Sequence, residues 1–212
     1  MTNTDSAKDA HQSPLHMDRL EADPFTLFSQ WMAEAKTAEI NDPDAMALAS
    51  VNADGMPSVR MVLLREVTPQ GFIFFTNYNS RKSGELLATG KAAGVFHWKS
   101  LRRQIRITGH VTKASDAQSD AYFNSRARGS RIGAWASQQS EPLAKRADLA
   151  ASVAHYENLY PDDNVPRPPH WGGFIIQPAE IEFWADGAYR LHDRFVFKKN
   201  DAGVWSATRL NP

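Results

Sequence analysis

The stretch EFWADGAYRLHDRF, Glu182 to Phe195, carries Arg190, His192 and Arg194 at alternate positions. Alternate residues of an extended chain point the same way, so a strand here would set three cationic or near-cationic groups on one face, roughly 7 Å apart. Arginine grips anions through paired donors, and imidazole exchanges protons near neutral pH. Such a row suits a flat, anionic or electron-rich ligand. The plainer alternative is a strand whose arginines pair with Asp193 or Glu182, although Asp193 falls on the opposite side of the alternation. Trp184, in the alternation Ile181/Phe183 against Glu182/Trp184, is either a core residue or a wall for a heteroaromatic ring.

Other basic clusters recur along the chain. In SVRMVLLRE, Arg60, Val62 and Leu64 share one strand face, while Met61, Leu63 and Arg65 share the other. In NSRKSGE, Arg81 and Lys82 occupy the first turn of an expected helix, where backbone N–H groups and the positive helix end favour an anion. In LRRQIRITG, Arg102, Gln104 and Arg106 share a face. Tyr122, Arg126 and Ser130 are spaced by four, so a helix would align them as a phosphate clamp. Each cluster alone reads more readily as solvated surface. Their number in a chain without excess positive charge points to two phosphates, one on a cofactor and one on a substrate. There is no GxGxxG and no P-loop, so side chains and scattered amides must hold them.

The elements that position these groups read as mainly antiparallel β with peripheral helices. ADPFTLFSQWMAEAKTAEI is an expected helix, with Asp23 as cap, Pro24 in the first turn, and Leu27, Phe28, Trp31, Met32 and Ala35 as its apolar stripe. AMALASVN, PSVRMVLLREV, GFIFFTN, AAGVFHW and RRQIRITGHVTKA read as strands, with a short helix capped by Ser80 between the third and fourth. Helices follow in SDAQSDAYFNSR, SRIGAWAS and PLAKRADLAASVAHYENLY. A Pro-rich loop then leads to three more strands, GFIIQPAEIEFW, YRLHDRFVFKK and VWSATRL. That makes about eight strands joined by short connections, a meander or barrel rather than a doubly wound sheet.

Composition narrows the class. The 212 residues hold 24 basic and 24 acidic side chains, 42% apolar residues and no cysteine. One domain over 19–212 is expected, preceded by a polar, flexible segment over 1–18. Balanced charge argues against a nucleic-acid partner. The lack of cysteine removes disulfides, zinc thiolates and thiol nucleophiles, and no metal is expected. No secretory h-region and no membrane-length apolar run is visible, so a soluble, cytoplasmic location is expected.

IEFWADGAYRLHDRF resembles the C-terminal signature of the pyridoxine/pyridoxamine 5′-phosphate oxidase family: Glu-aromatic-Trp, a few variable residues, then Arg-Leu-His-Asp-Arg. DPFTLFSQWMAEA, RMVLLRE, FFTNYNSRKSGEL, RRQIRITG, YFNSRARGSRIGAWASQQS, PPHWGGF and the final RLNP also resemble the family's blocks, in its order, from about Arg19 to Pro212. The resemblance implies an antiparallel split β-barrel homodimer with FMN at the subunit interface. It implies oxidation of pyridoxamine or pyridoxine 5′-phosphate to pyridoxal 5′-phosphate, with O2 giving H2O2.

Carried across by position, the resemblance implies that Arg60, Met61, Val62, Leu63, Leu64, Phe75 and Thr76 contact FMN. Arg81 and Lys82 would bind its phosphate, and Gln104, Gln139, Ser140, Trp184 and Arg194 would complete the site. Arg65, Tyr122, Arg126 and Ser130 would hold the substrate phosphate. Arg190 and His192 would lie over the pyridine ring as the catalytic pair, with Arg194 near the flavin edge that gains charge. Two positions depart from the family pattern. Arg65 stands where lysine is usual, and arginine is bulkier and prefers two-pronged contacts. Ala185 stands where Gln, His or Gly is common, with little expected consequence. A non-catalytic flavin- or pyridoxal-phosphate-binding protein on the same barrel is the alternative, and it would not need Arg190 and His192. A deazaflavin reductase on the same barrel would leave Tyr122, Arg126 and Ser130 without a role.

Overall fold

The computed structural model describes residues 23–212; the segment expected to be flexible, residues 1–18, lies outside the described residues. Helix α1 (Pro24–Ala38) begins where Asp23 accepts a hydrogen bond from the Thr26 amide at 2.9 Å. Its expected stripe, Leu27, Phe28, Trp31, Met32 and Ala35, is buried throughout. It packs as a wedge of rings: Phe28 meets Phe72 at 4.9 Å and Phe96 at 5.4 Å, and Trp31 meets Phe183 edge-on at 5.2 Å. Burying large apolar side chains of this kind contributes roughly 1.5–3 kcal/mol apiece.

Nine strands follow, all paired antiparallel: β1 (Ala45–Val51), β2 (Pro57–Leu63), β3 (Glu66–Thr68), β4 (Gly71–Asn77), β5 (Lys91–Trp98), β6 (Arg103–Lys113), β7 (Trp171–Ala185), β8 (Asp193–Lys199) and β9 (Trp205–Leu210). The order is β2-β1-β5-β6-β7-β4-β3, with β8 on β7 and β9 on β8. The sheet curls into a half-barrel around the aromatic core. Strand β7 is the spine. Its first half, Trp171–Ile176, pairs with β4, its second half, Glu180–Ala185, pairs with β8, and β6 runs beside both halves with a bulge at Thr108/Gly109. A Cβ on Gly109 would stand 2.1 Å from the Gln177 carbonyl oxygen, so only glycine lets the strands close there. Helix α2 (Arg81–Thr89) follows β4; α3 (Asp116–Ser125), α4 (Arg128–Ala136) and α5 (Arg146–Leu159) fill the connection from β6 to β7.

Three expectations are corrected. PSVRMVLLREV is two strands, because the chain changes neighbours: the Leu64 amide donates to the Asp44 carbonyl and the Arg65 amide to Ile73, on β4. That exchange accounts for nine strands instead of eight. Tyr122, Arg126 and Ser130 do not lie on one helix; α3 ends at Ser125, and Arg126 is extended (φ −78°, ψ 147°). YRLHDRFVFKK is not one strand. Ala188–Arg190 form a 3-10 turn with Tyr189 and Arg190 at φ 54° and 66°, and β8 begins only at Asp193. Arg190, His192 and Arg194 therefore do not form a single strand face.

Candidate active site

A cleft of about 470 Å³ opens between β2, β4, α2 and the α3–α4 corner. Its walls are the β2 segment Met61–Leu63, Phe75 and Thr76 of β4, and Trp171 at the start of β7. Rings line one side: Phe75 stacks on Tyr122 at 4.2 Å, and on Trp171 at 5.6 Å with the planes 9° apart. Each end of the cleft is basic.

At one end, Lys82 in the first turn of α2 donates to Gln139 Oε1 at 2.7 Å, to Thr76 Oγ1 at 2.9 Å and to Ser80 Oγ at 3.2 Å. The backbone amide of Arg81 meets Ser140 Oγ at 3.1 Å. Four residues assigned to the cofactor, Arg81, Lys82, Gln139 and Ser140, thus converge on one helix N-terminus. Among the described residues Lys82 forms no ion pair. Burial, and after it the nearby Arg60, bring its pKa down to about 8. An ammonium that is half-desolvated and uncompensated is suited to an anion.

Behind this end, Glu85 is buried and accepts from Arg81 Nε at 2.8 Å, from Ser58 Oγ at 2.7 Å, from Ser50 Oγ and from Arg60 Nη2 at 3.2 Å. Burial pushes the Glu85 carboxyl up, but the bonds from Ser50, Ser58 and Arg81 prevail and hold it at about 2. Arg60 therefore turns behind the helix end instead of lining the cleft. The Leu64 side chain is likewise directed away, into the core. Glu85 was missed in the sequence, although its i,i+4 spacing from Arg81 was a usable signal.

At the other end, Arg65, Tyr122, Arg126 and Ser130 meet. The Arg126 guanidinium lies 4.8 Å from the Trp171 ring, and its Nη1 is buried without a hydrogen-bond partner among the described residues. Burial lowers its pKa; Tyr122 opposes that and Arg65 adds to it. Arg65 is anchored by Asp44 at 2.8 Å. The break between α3 and α4 does what the expected continuous helix would have done, bringing the three residues to one anion-sized corner. Trp171, which seats Arg126, carried no signal in the sequence beyond its place in PPHWGGF.

The remaining candidates lie elsewhere. Gln104, Trp184 and Arg194 form one row across β6, β7 and β8. Glu182, buried two residues before Trp184 on β7, accepts from Arg194 Nε at 2.8 Å and from Arg106 Nη1 at 2.9 Å, so the pairing of an arginine with Glu182 holds for Arg194. The hydrogen bond to Glu182 raises the Arg194 pKa. Arg190 is exposed on its turn, and the His192 ring lies 4.6 Å from Trp184. None of Gln104, Trp184, Arg190, His192 and Arg194 lines the cleft. Trp171 and Trp184 are 13 steps apart on β7, roughly 43 Å of strand contour. One chain keeps the two groups at opposite ends of its spine.

Among the described residues no helix is long and apolar enough to cross a membrane. Residues 32–160 match the family model described as pyridoxamine 5′-phosphate oxidase, and residues 171–212 match the pyridoxine 5′-phosphate oxidase C-terminal dimerisation region. The chain is 55% identical over 192 residues to the pyridoxine/pyridoxamine 5′-phosphate oxidases of Brucella canis and Brucella suis, covering 90% of this chain and 95% of each relative. The structure of PhzG from Burkholderia lata, in complex with tetrahydrophenazine-1-carboxylic acid, superposes with a TM-score of 0.87 at 33% identity, over 94% of this chain and 98% of that one. A pyridoxamine 5′-phosphate oxidase-related, FMN-binding protein from Nostoc punctiforme shares the fold, with a TM-score of 0.74 at 17% identity over 91% of this chain and all of that one. On the two family matches, which together span most of the described residues, and on these close relatives, the chain belongs to the pyridoxamine 5′-phosphate oxidase family.

Proposed function

We propose that the protein oxidises pyridoxamine 5′-phosphate or pyridoxine 5′-phosphate to pyridoxal 5′-phosphate, using FMN and O2 and releasing H2O2. The observation that carries this reading is a single cleft with a basic site at each end and stacked rings between them. The residues fit the cofactor. Lys82, the Arg81 amide, Gln139 and Ser140 would hold the FMN phosphate at the N-terminus of α2, and Met61–Leu63, Phe75 and Thr76 would lie along its ring. The unpartnered Arg126 Nη1, with Arg65, Tyr122 and Ser130, would take the substrate phosphate. When bound, the flavin supplies the two-electron acceptor that O2 regenerates.

The chain's own part is to bind, orient and neutralise. Two phosphate anchors would fix the sliding and rotation of two flat molecules, and such positioning alone can contribute several kcal/mol, roughly 7–11 at best. We further infer a homodimer in which Gln104, Trp184, Arg190, His192 and Arg194 of one protomer complete the cleft of the other. The dimerisation region matched over 171–212 and the wide separation along β7 support it. Arg190 and His192 would then contact the substrate ring, and Arg194 would stabilise charge arriving on the flavin.

The test is direct. Purified protein should carry FMN and, given pyridoxamine 5′-phosphate in air, should form H2O2 and pyridoxal 5′-phosphate. Bound flavin with no turnover of either vitamer would favour the non-catalytic binding protein instead.

A further inference from the structure

The turn between β7 and β8 grips His192 in a way the proposed contacts do not explain. Its Nδ1 accepts a hydrogen bond from the Gly187 amide at 3.1 Å and, at the same distance, stands in ion-pair contact with Asp186 Oδ1. Its Nε2 has no hydrogen-bond partner among the described residues. The turn is built tightly: a Cβ on Gly187 would stand 2.0 Å from the Leu191 carbonyl oxygen. The next residues, Tyr189 and Arg190, are both held at positive φ, a conformation that costs about 1–3 kcal/mol per residue and persists where surroundings over-determine it.

The two partners of Nδ1 make opposite demands. An amide N–H needs the lone pair of Nδ1, which puts the ring proton on Nε2. A carboxylate needs a proton on Nδ1, which leaves the lone pair on Nε2. Asp186 is equipped to prevail. Its side chain is only 11% exposed, its other oxygen forms an ion pair with Arg102, and its amide donates to the Arg102 carbonyl at 3.0 Å. A hydrogen bond to an ionised acceptor is roughly twice as strong as a neutral one.

We propose that Asp186 is a positioning residue that keeps the His192 ring proton on Nδ1, so that Nε2 serves as the proton acceptor during substrate oxidation. This rests on the functional reading above. For the alcohol substrate, the C4′–H bond would break with its electron pair leaving as hydride, for which bound oxidised flavin would supply the acceptor. The O–H bond breaks with its proton going to His192 Nε2, and a C=O bond forms. A neutral amine needs no such help: its lone pair forms the C=N bond as hydride leaves, and water later releases ammonia. The device therefore serves alcohol oxidation more than amine oxidation.

The experiment pairs a spectroscopic and a kinetic readout. Nitrogen-15 NMR of the protein at alkaline pH, with the ring neutral, should show a protonated Nδ1 and a bare Nε2 at His192. In D186N, Arg102 should hold the amide oxygen and turn the NH2 group towards Nδ1, moving the ring proton to Nε2; D186A should do the same by leaving only the Gly187 amide. In the FMN-loaded enzyme, D186N should lower kcat/KM for pyridoxine 5′-phosphate about 10- to 100-fold, and for pyridoxamine 5′-phosphate by less than about threefold. A wild-type Nε2–H ring, an unchanged ring in both variants, or equal losses with both substrates would overturn the proposal. A wild type that oxidises neither vitamer would instead refute the functional reading, with the tautomer measurement still deciding the role of Asp186.

Discussion

On the proposed reading, in which Lys82 holds the FMN phosphate, FMN binding depends on pH in a definite direction. In the ligand-free protein its pKa is lowered from 10.5 to about 8, by burial first and by Arg60 second. A phosphate dianion beside Nζ favours the charged form and drives the pKa back towards its ordinary value. The free protein therefore lacks a proton that the complex holds between pH 8 and 10.5. Binding takes one up there, and affinity falls as pH rises through 8. Full recovery of the ordinary value would mean uptake of about 0.9 proton at pH 9 and roughly tenfold weaker binding at pH 9 than at pH 7. Lys82 is only partly buried, and solvent screening reduces the effect, so about half that uptake is the floor of the expectation. Calorimetric titration of FMN in two buffers of different ionisation enthalpy gives the uptake, and flavin fluorescence gives Kd at each pH. Lys82→Met should bind more weakly and lose the slope. A wild-type Kd that is flat from pH 7 to 9, with no proton uptake, would refute the reasoning.

Arg126→Ala should retain flavin while raising KM for the phosphorylated substrate about 10- to 100-fold, the worth of one charge-assisted hydrogen bond, as steady-state kinetics would show. Glu85→Gln should destabilise the protein by about 2–3 kcal/mol in urea denaturation at pH 7, because Arg60 and Arg81 lose their shared partner. The Glu85 carboxyl is held down at about 2 from 4.5, so its contribution is complete above about pH 4.5 and is lost as pH falls towards 2; acid unfolding of Glu85→Gln should therefore show a shallower pH dependence. Arg190→Ala and His192→Ala should each keep the flavin spectrum and lose turnover; loss of flavin in both would reverse the assumed division of labour.

Much of this was legible because side-chain type and periodicity carry it. The α1 stripe and its Asp23 cap follow from spacing alone, and the strand runs fall where β-branched and aromatic residues alternate between turn signals. The two basic ends of the cleft were also readable as Arg81-Lys82 and Tyr122-Arg126-Ser130. What failed depends on partners distant in sequence. No local signal marks Leu64 as the residue where one strand exchanges β1 for β4. Tyr189 and Arg190 adopt a left-handed turn without the glycine or asparagine that usually announces one. Arg194 reaches Glu182 because β7 and β8 pair in that register, which alternation within one strand does not reveal. Above all, a row of residues that resembles half a site cannot say which protomer's cleft it faces.

Coexpression of Arg126→Ala and His192→Ala chains under two different tags, with purification of the mixed dimer, tests that point most directly. Each single variant should be nearly inactive at low substrate. If the cleft of one protomer is completed by the β7–β8 turn of the other, the mixed dimer carries both lesions in one site and neither in the second, and should recover about half of wild-type activity. A mixed dimer no more active than its parents would contradict the account, since it would mean that Arg126 and His192 act from the same chain.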